Sequence, residues 1–81
     1  MDSKTLAALE QGQKARIDAV DASDPQVQRL MTLGLVEGVE VVLASQAIGG
    51  DPLEFRLFGR GISLRREQAL RFRVSEVRPG G

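Results

Sequence analysis

The sequence contains neither cysteine nor histidine among its 81 residues. Without cysteine, the chain has no disulfide, no thiolate metal ligand and no thiol nucleophile. Without histidine, a serine–histidine catalytic pair is excluded, and a transition-metal site would depend on carboxylates and backbone groups, which suit harder ions. We therefore expect no catalytic residue, no cofactor and no metal ligand, and we do not expect an enzyme.

Aromatic residues and net charge are also scarce. The chain has three phenylalanines, no tyrosine or tryptophan, and a net charge of zero. A single-strand nucleic-acid binder needs aromatic stacking platforms in a basic groove. The apolar runs are too short to cross a bilayer, and the first residues lack the apolar segment of a signal peptide. These features predict a cytoplasmic protein that neither binds nucleic acid nor inserts into a membrane.

The charges are distributed unevenly along the chain. Residues 1–40 hold four lysines and arginines against seven acidic residues, a net charge of −3. Residues 41–81 hold seven arginines against four acidic residues, a net charge of +3. An arginine-rich half either contacts an acidic partner or a phosphate, or it keeps strand surfaces solvated.

One helix is well defined by its end signals in this short chain, whose length allows a single small domain. Asp24 is a suitable N-cap, and Pro25 suits the first helical position. Gly34 falls where a left-handed residue ends a helix, which would bring Leu35 back onto Leu30. We predict an α-helix over about residues 25–33.

Alternation of apolar and polar residues predicts five short strands, separated by glycine-rich turns. Five such strands cannot bury their faces as a flat sheet, so we expect a small, mainly β barrel with the helix packed against one end. The strands fall at 14–20, 39–44, 53–58, 62–64 and 70–75, and Val77 could extend the last one. Short helical turns are expected near 5–9, with Thr5 as a candidate N-cap, and near 66–70. The inward residues of these strands include Ile17, Val41, Phe55, Leu70, Phe72 and Val74. The domain covers residues 1–77, and residues 78–81 form a flexible tail.

Three residues are candidate partner contacts. Ile48, at the tip of a loop, either folds back onto the barrel rim or contacts a partner. Phe58 lies on the polar face of its strand, so either the strand kinks near Gly59 and turns the ring inward, or the ring is exposed. Arg60 lies in the predicted turn Gly59-Arg60-Gly61. Interaction surfaces need an apolar anchor and an arginine rather than catalytic geometry.

Four segments carry a family resemblance. They are GQKARI at 12–17, MTLGLVEGVEV at 31–41, GDPLEF at 50–55 and ISLRREQA at 62–69. Their order and spacing are those of FeoA-type proteins, which the chain resembles over about residues 6–75.

The resemblance implies an SH3-like barrel with an inserted helix. It also implies a cytosolic accessory protein of a bacterial ferrous iron uptake system, which acts on the membrane permease and has no enzyme activity of its own. The expected partner is the permease's cytosolic GTP-binding domain, which would recruit the chain to the inner face of the membrane. Whether the chain forms a homo-oligomer stays open. Alternatives are a stand-alone SH3-like adaptor or regulatory module and, with less support, a nucleic-acid binder or a carboxylate-based iron carrier.

Overall fold

The computed structural model describes residues 4–78. Over this range, six strands form one antiparallel sheet in the order β1-β6-β2-β3-β4-β5. The elements are β1 (Lys4–Thr5), a short 3-10 helix (Leu6–Ala8), β2 (Lys14–Val20), α1 (Pro25–Thr32), β3 (Glu40–Gln46), β4 (Leu53–Leu57), β5 (Arg60–Leu64), α2 (Arg66–Ala69) and β6 (Phe72–Glu76). Within residues 4–78, neither α-helix is long and apolar enough to cross a membrane.

The sheet encloses a single hydrophobic core. Buried and exposed residues alternate along β2, β4 and β6, as expected for strands with one face inward. Phe55 and Phe72 are fully buried, and Val27 from α1 joins the same cluster. The predicted mainly β fold with one inserted helix is confirmed. The described sheet has one strand more than predicted, because β1 pairs with β6.

Helix α1 begins and ends as its sequence predicts. The side chain of Asp24 accepts a hydrogen bond from the backbone N–H two residues later at 2.8 Å, and Pro25 follows as the first helical residue. At the other end, Gly34 has a φ of +114°, and the N–H of Leu35 donates to the carbonyl oxygen of Leu30 at 3.3 Å. This is the predicted Schellman motif, and both leucines are buried.

Helix α1 is hydrogen-bonded to neighbouring elements near both of its ends. Near its first turn, Gln68 of α2 donates from Nε2 to Oε1 of Gln26 at 2.8 Å. At its end, Arg60 of β5 donates from Nη2 to the carbonyl oxygen of Leu33 at 3.3 Å. These two hydrogen bonds fasten the helix at both of its ends.

The β4–β5 hairpin differs from the prediction of a turn at residues 59–61. The turn consists of Phe58 and Gly59, with φ of +52° and +78°, and Leu57 pairs directly with Arg60. A two-residue turn with two positive φ angles matches the right-handed twist of the strands it joins. Consequently β4 ends at Leu57, and β5 begins at Arg60 rather than at Ile62.

Two further expectations at element ends are wrong. Leu70 was expected to face inward in the last strand, but it is the C-cap of α2 and is 56% exposed. The helical backbone continues through Leu70, so strand alternation begins only at Phe72. Thr5 makes no capping hydrogen bond, because it lies in β1 opposite Arg73.

The predicted flexible tail lies outside the described residues, apart from Arg78. The assignment of residues 1–77 to a single domain stays a prediction.

Candidate functional site

Phe58 has an unusual backbone conformation for a residue other than glycine. Among residues 4–78, no other residue except glycine has a positive φ. A left-handed conformation costs an L-residue about 1–2 kcal/mol. The ring is 76% exposed, so burial offsets little of that cost. The exposed alternative for Phe58 is thus confirmed, and strain of this kind is concentrated at functional positions.

Phe58 borders a shallow depression on the outer face of the sheet. The depression has a volume of about 480 Å³, and its lining includes Lys14, Val42 and Arg56. Lys14 pairs with Val42, and Val42 pairs with Arg56, so these three form one row across β2, β3 and β4. We call the surface formed by Lys14, Val42, Arg56 and Phe58 the outer-face trough.

The trough carries positive charges that are weakly neutralised. Nζ of Lys14 lies 3.9 Å from Oε1 of Glu40, and both side chains are about half exposed. A pair that is this long and this exposed contributes little to stability. Arg56 has no ion pair among the described residues. An acidic group approaching the trough would therefore meet an arginine that is not already engaged.

Arg60 is next to Phe58 in the hairpin but contacts a different element. Its guanidinium donates to the carbonyl oxygen of Leu33, the C-cap residue of α1. A cation at a helix C-terminus interacts favourably with the helix dipole. Arg60 therefore fastens α1 to the hairpin, while Phe58 lines the outer-face trough.

Ile48 is fully exposed at the tip of the β3–β4 loop, so the prediction that it could pack on the barrel rim is wrong. The loop is held by its own hydrogen bonds: the Gly50 N–H donates to the Ala47 carbonyl oxygen at 2.8 Å, and Nε of Arg66 donates to the Gly50 carbonyl oxygen at 3.0 Å. This loop and the hairpin lie at opposite ends of β4, about 13 Å apart along the strand. The structure therefore separates Ile48 from Phe58 and Arg60.

Sequence reasoning did not single out two apolar contributors to this end of the molecule. Val42 lies between Lys14 and Arg56 because of the strand register, which the sequence does not show. Leu33 is 46% exposed at the end of α1, beside Arg60. The sequence does contain one indication that Leu33 is exposed, because it falls outside the face of the helix that is buried.

A separate polar cluster surrounds Asp21. Its Oδ1 accepts hydrogen bonds from the Ser23 hydroxyl at 2.8 Å and the Ser23 N–H at 3.2 Å, and its Oδ2 accepts from Nη1 of Arg71 at 2.9 Å. These hydrogen bonds, with that of the Ser23 hydroxyl first, lower the pKa of Asp21 from its ordinary value of 3.8. The cluster connects the loop after β2 to the residue before β6. Within residues 4–78, no group of three or more acidic side chains is placed to hold a metal ion.

The FeoA domain family model matches residues 4–76. No curated protein matches the chain.

Several solved structures resemble the chain over most of its length. The FeoA protein from Chlorobium tepidum is 31% identical over 96% of this chain and 74% of its own, with a TM-score of 0.86. The FeoA-like protein from Clostridium acetobutylicum is 25% identical over 100% of this chain and 94% of its own, also with a TM-score of 0.86. The zinc-complexed FeoA from Stenotrophomonas maltophilia, described as a prokaryotic SH3 domain protein, is 31% identical over 90% of this chain and 91% of its own, with a TM-score of 0.80. The predicted SH3-like fold is thereby confirmed.

Proposed function

This chain belongs to the FeoA family, and from that premise we propose that it is an accessory protein of a bacterial ferrous iron uptake system. It acts by binding the cytosolic GTP-binding domain of the membrane permease, which brings it to the inner face of the membrane. Family membership over residues 4–76 supports the assignment to iron transport. The Stenotrophomonas maltophilia relative has been suggested to act as a ferrous iron transport activating factor.

The single observation that supports a binding role for this chain is the conformation of Phe58. An aromatic side chain that is 76% exposed on a backbone with a φ of +52° gains little from burial in the isolated chain. Aromatic residues that become buried in a partner's pocket account for much of the energy of protein interfaces. A two-residue turn between paired strands also fixes the backbone that carries the ring, which reduces the entropy lost on association.

The end of the molecule around Phe58 offers further contact groups. Leu33 is exposed beside the hairpin, where Arg60 holds the end of α1. Two elements that are far apart in sequence thus present one connected surface. We place the contact with the permease domain at this end.

The test is a binding measurement of the full chain against the cytosolic GTP-binding domain and the full permease, with and without a GTP analogue. Phe58→Asn removes the ring but keeps the turn, because asparagine adopts left-handed conformations readily and Asn-Gly favours this turn. We expect this variant to lose at least about tenfold in affinity. Ile48→Ser is the matched control at the opposite end of β4, and its affinity is expected to be unchanged.

Two outcomes contradict the proposal at different levels. If the wild-type chain binds neither the domain nor the permease at tens of micromolar, the proposed function is wrong. If the wild-type chain binds, but Ile48→Ser loses affinity and Phe58→Asn does not, the function stands and the contact lies at the loop end instead.

A further inference from the structure

The outer-face trough continues beyond Lys14 across the sheet, on the side away from Phe58. A second depression of about 510 Å³ adjoins the first and shares Lys14 and Val42 with it. Val77 and Arg78 lie at its far side. The two depressions together cross the sheet from the β4–β5 hairpin to the end of β6. A surface of this length fits an extended or helical segment of polypeptide rather than a single side chain.

Apolar groups form part of the floor of the trough. Val42 is half-buried in the middle of the row, and Val39 and the ring of Phe58 lie at one end. Water is poorly bound on such groups, so covering them with apolar side chains is favourable. A ligand that carries charge alone would leave this floor exposed.

The acidic and basic side chains along the trough differ in whether they have an ion-pair or hydrogen-bond partner within the chain. Its acidic residues have partners within the chain: Glu76 accepts a hydrogen bond from Nε2 of Gln13 at 2.8 Å and lies 3.8 Å from Nζ of Lys4. Among the described residues, neither Arg56 nor Arg78 has a carboxylate within ion-pair distance. Lys14 and Glu40 offset each other across 3.9 Å, so the trough charges that have no partner of opposite sign among the described residues are those of Arg56 and Arg78.

The apolar residue between the cations separates two classes of anion. Lys14 and Arg56 lie on strands two apart, which places their Cα atoms about 10 Å from each other with Val42 between them. Both side chains are long enough to reach one phosphate, but a phosphate would leave Val42 uncovered. Carboxylates spaced along a polypeptide, with apolar side chains among them, match the row.

We propose that the outer-face trough binds an acidic segment of a partner protein, with its carboxylates on Arg56 and Lys14 and its apolar side chains on Val42 and Phe58. The inference rests on the proposed function only for the identity of the protein that supplies the segment. Because the ion pairs form at an exposed surface, binding weakens as salt screens them. Lys14 leaves its long contact with Glu40 to join the ligand.

The experiment is a titration of the isotope-labelled full chain, followed by amide chemical shifts. The probes are a capped peptide that combines glutamate with leucine, a matched peptide with lysine in place of each glutamate, and inorganic phosphate. We expect the acidic peptide to shift the amides of Lys14, Val42, Arg56 and Phe58, and added salt to weaken its binding. The lysine peptide and phosphate are expected to leave these signals in place.

Charge-reversal variants of the trough residues test whether the acidic peptide binds there. Lys14→Glu combined with Arg56→Glu should weaken the acidic peptide about tenfold, since each exposed ion pair is worth up to about fivefold and reversal adds repulsion. The matched control pairs two exposed basic residues outside the trough, Arg29→Glu with Arg73→Glu, and makes the same change in net charge. This control should retain most of the affinity.

Four results overturn the inference: no shift with the acidic peptide, equal shifts with the lysine peptide, equal weakening by the trough and control substitutions, or shifts with phosphate alone. The last result would indicate a simple anion site. A chain that binds the permease domain but not the acidic peptide retains the proposed function and loses this inference. If the chain binds the acidic peptide but not the permease domain, the proposed function is wrong and this inference stands.

Discussion

The guanidinium of Arg60 donates a hydrogen bond to the carbonyl oxygen of Leu33 across 3.3 Å, which connects the start of β5 to the end of α1. The two residues are 27 positions apart in sequence, so this bond fastens the helix at the hairpin. Because α1 has few other polar contacts with the sheet, loss of this bond should loosen the helix end.

We predict that Arg60→Gln lowers the free energy of unfolding by about 1 kcal/mol, as expected for one hydrogen bond with an exposed charged donor. Urea denaturation measures the change. Arg56→Gln is the matched control, because Arg56 is also exposed but has no ion pair among the described residues. Its effect should stay within about 0.5 kcal/mol. If the two substitutions changed the free energy of unfolding equally, the hydrogen bond of Arg60 would contribute nothing specific to stability.

Gly34 is required for two separable reasons. Its φ of +114° disfavours any side chain, and a Cβ there would lie 3.1 Å from Cδ2 of Leu57 in the core. We predict that Gly34→Ala lowers the free energy of unfolding by about 2–3 kcal/mol, from backbone strain together with the close contact. Gly38→Ala is the control, because Gly38 has a φ of +93° but no atom within 4 Å of its Cβ position. The difference between the two variants, measured by denaturation, isolates the contact with Leu57, and a larger loss for Gly38→Ala would contradict it.

The elements that could be predicted from the sequence are those whose determinants lie within a few residues. Helix α1 is the clearest case, since Asp24, Pro25 and Gly34 act on the backbone of their immediate neighbours. Alternation likewise assigns Phe55 and Phe72 to the core without knowledge of their partners, because the side chains of a strand point to opposite faces.

The trough could not be predicted in the same way. Its row of Lys14, Val42 and Arg56 depends on the register of three strands, and a shift of one residue would place different side chains beside Val42. The two-residue turn was missed for a related reason: a turn with Phe58 at positive φ is locally unfavourable, so strand pairing on both sides must enforce it. Leu70 was misassigned because it keeps a helical backbone as the C-cap of α2, so the strand begins only at Phe72.

The two buried phenylalanines should differ sharply from the exposed one in their effect on stability. Phe55→Ala or Phe72→Ala removes a fully buried ring and should cost about 3–5 kcal/mol. That is close to the whole stability expected of so small a domain. Phe58→Ala should change the free energy of unfolding by less than about 1 kcal/mol. A loss below about 1 kcal/mol for Phe55 or Phe72, measured by calorimetry or denaturant, would contradict the core assignment.

Phe58→Asn should stabilise the isolated chain while it weakens binding. Asparagine tolerates the left-handed conformation that is unfavourable for phenylalanine, so we expect a gain of about 1 kcal/mol and a higher melting temperature. If the same sample also binds the permease domain more weakly, the strained backbone at Phe58 serves contact with a partner rather than the stability of the fold. A loss of stability would instead show that the ring has packing interactions within the fold.

Asp21 should make stability depend on pH in the acidic range. Its pKa in the folded chain is lowered from the ordinary value of 3.8 by hydrogen bonds from Ser23 and Arg71. A carboxyl with a lowered folded pKa stabilises the fold fully above its unfolded pKa, and this contribution is lost as the pH falls through the folded pKa. The wild type should therefore be more stable than Asp21→Asn at pH 7, and the difference between their melting temperatures should shrink as the pH falls below about 4.

Ser23→Ala removes the hydroxyl donor that contributes most to the shift, so it should reduce the same pH-dependent difference without removing the carboxyl. A difference between wild type and Asp21→Asn that stays constant with pH would mean that Asp21 acts through its shape and neutral hydrogen bonds rather than through its charge.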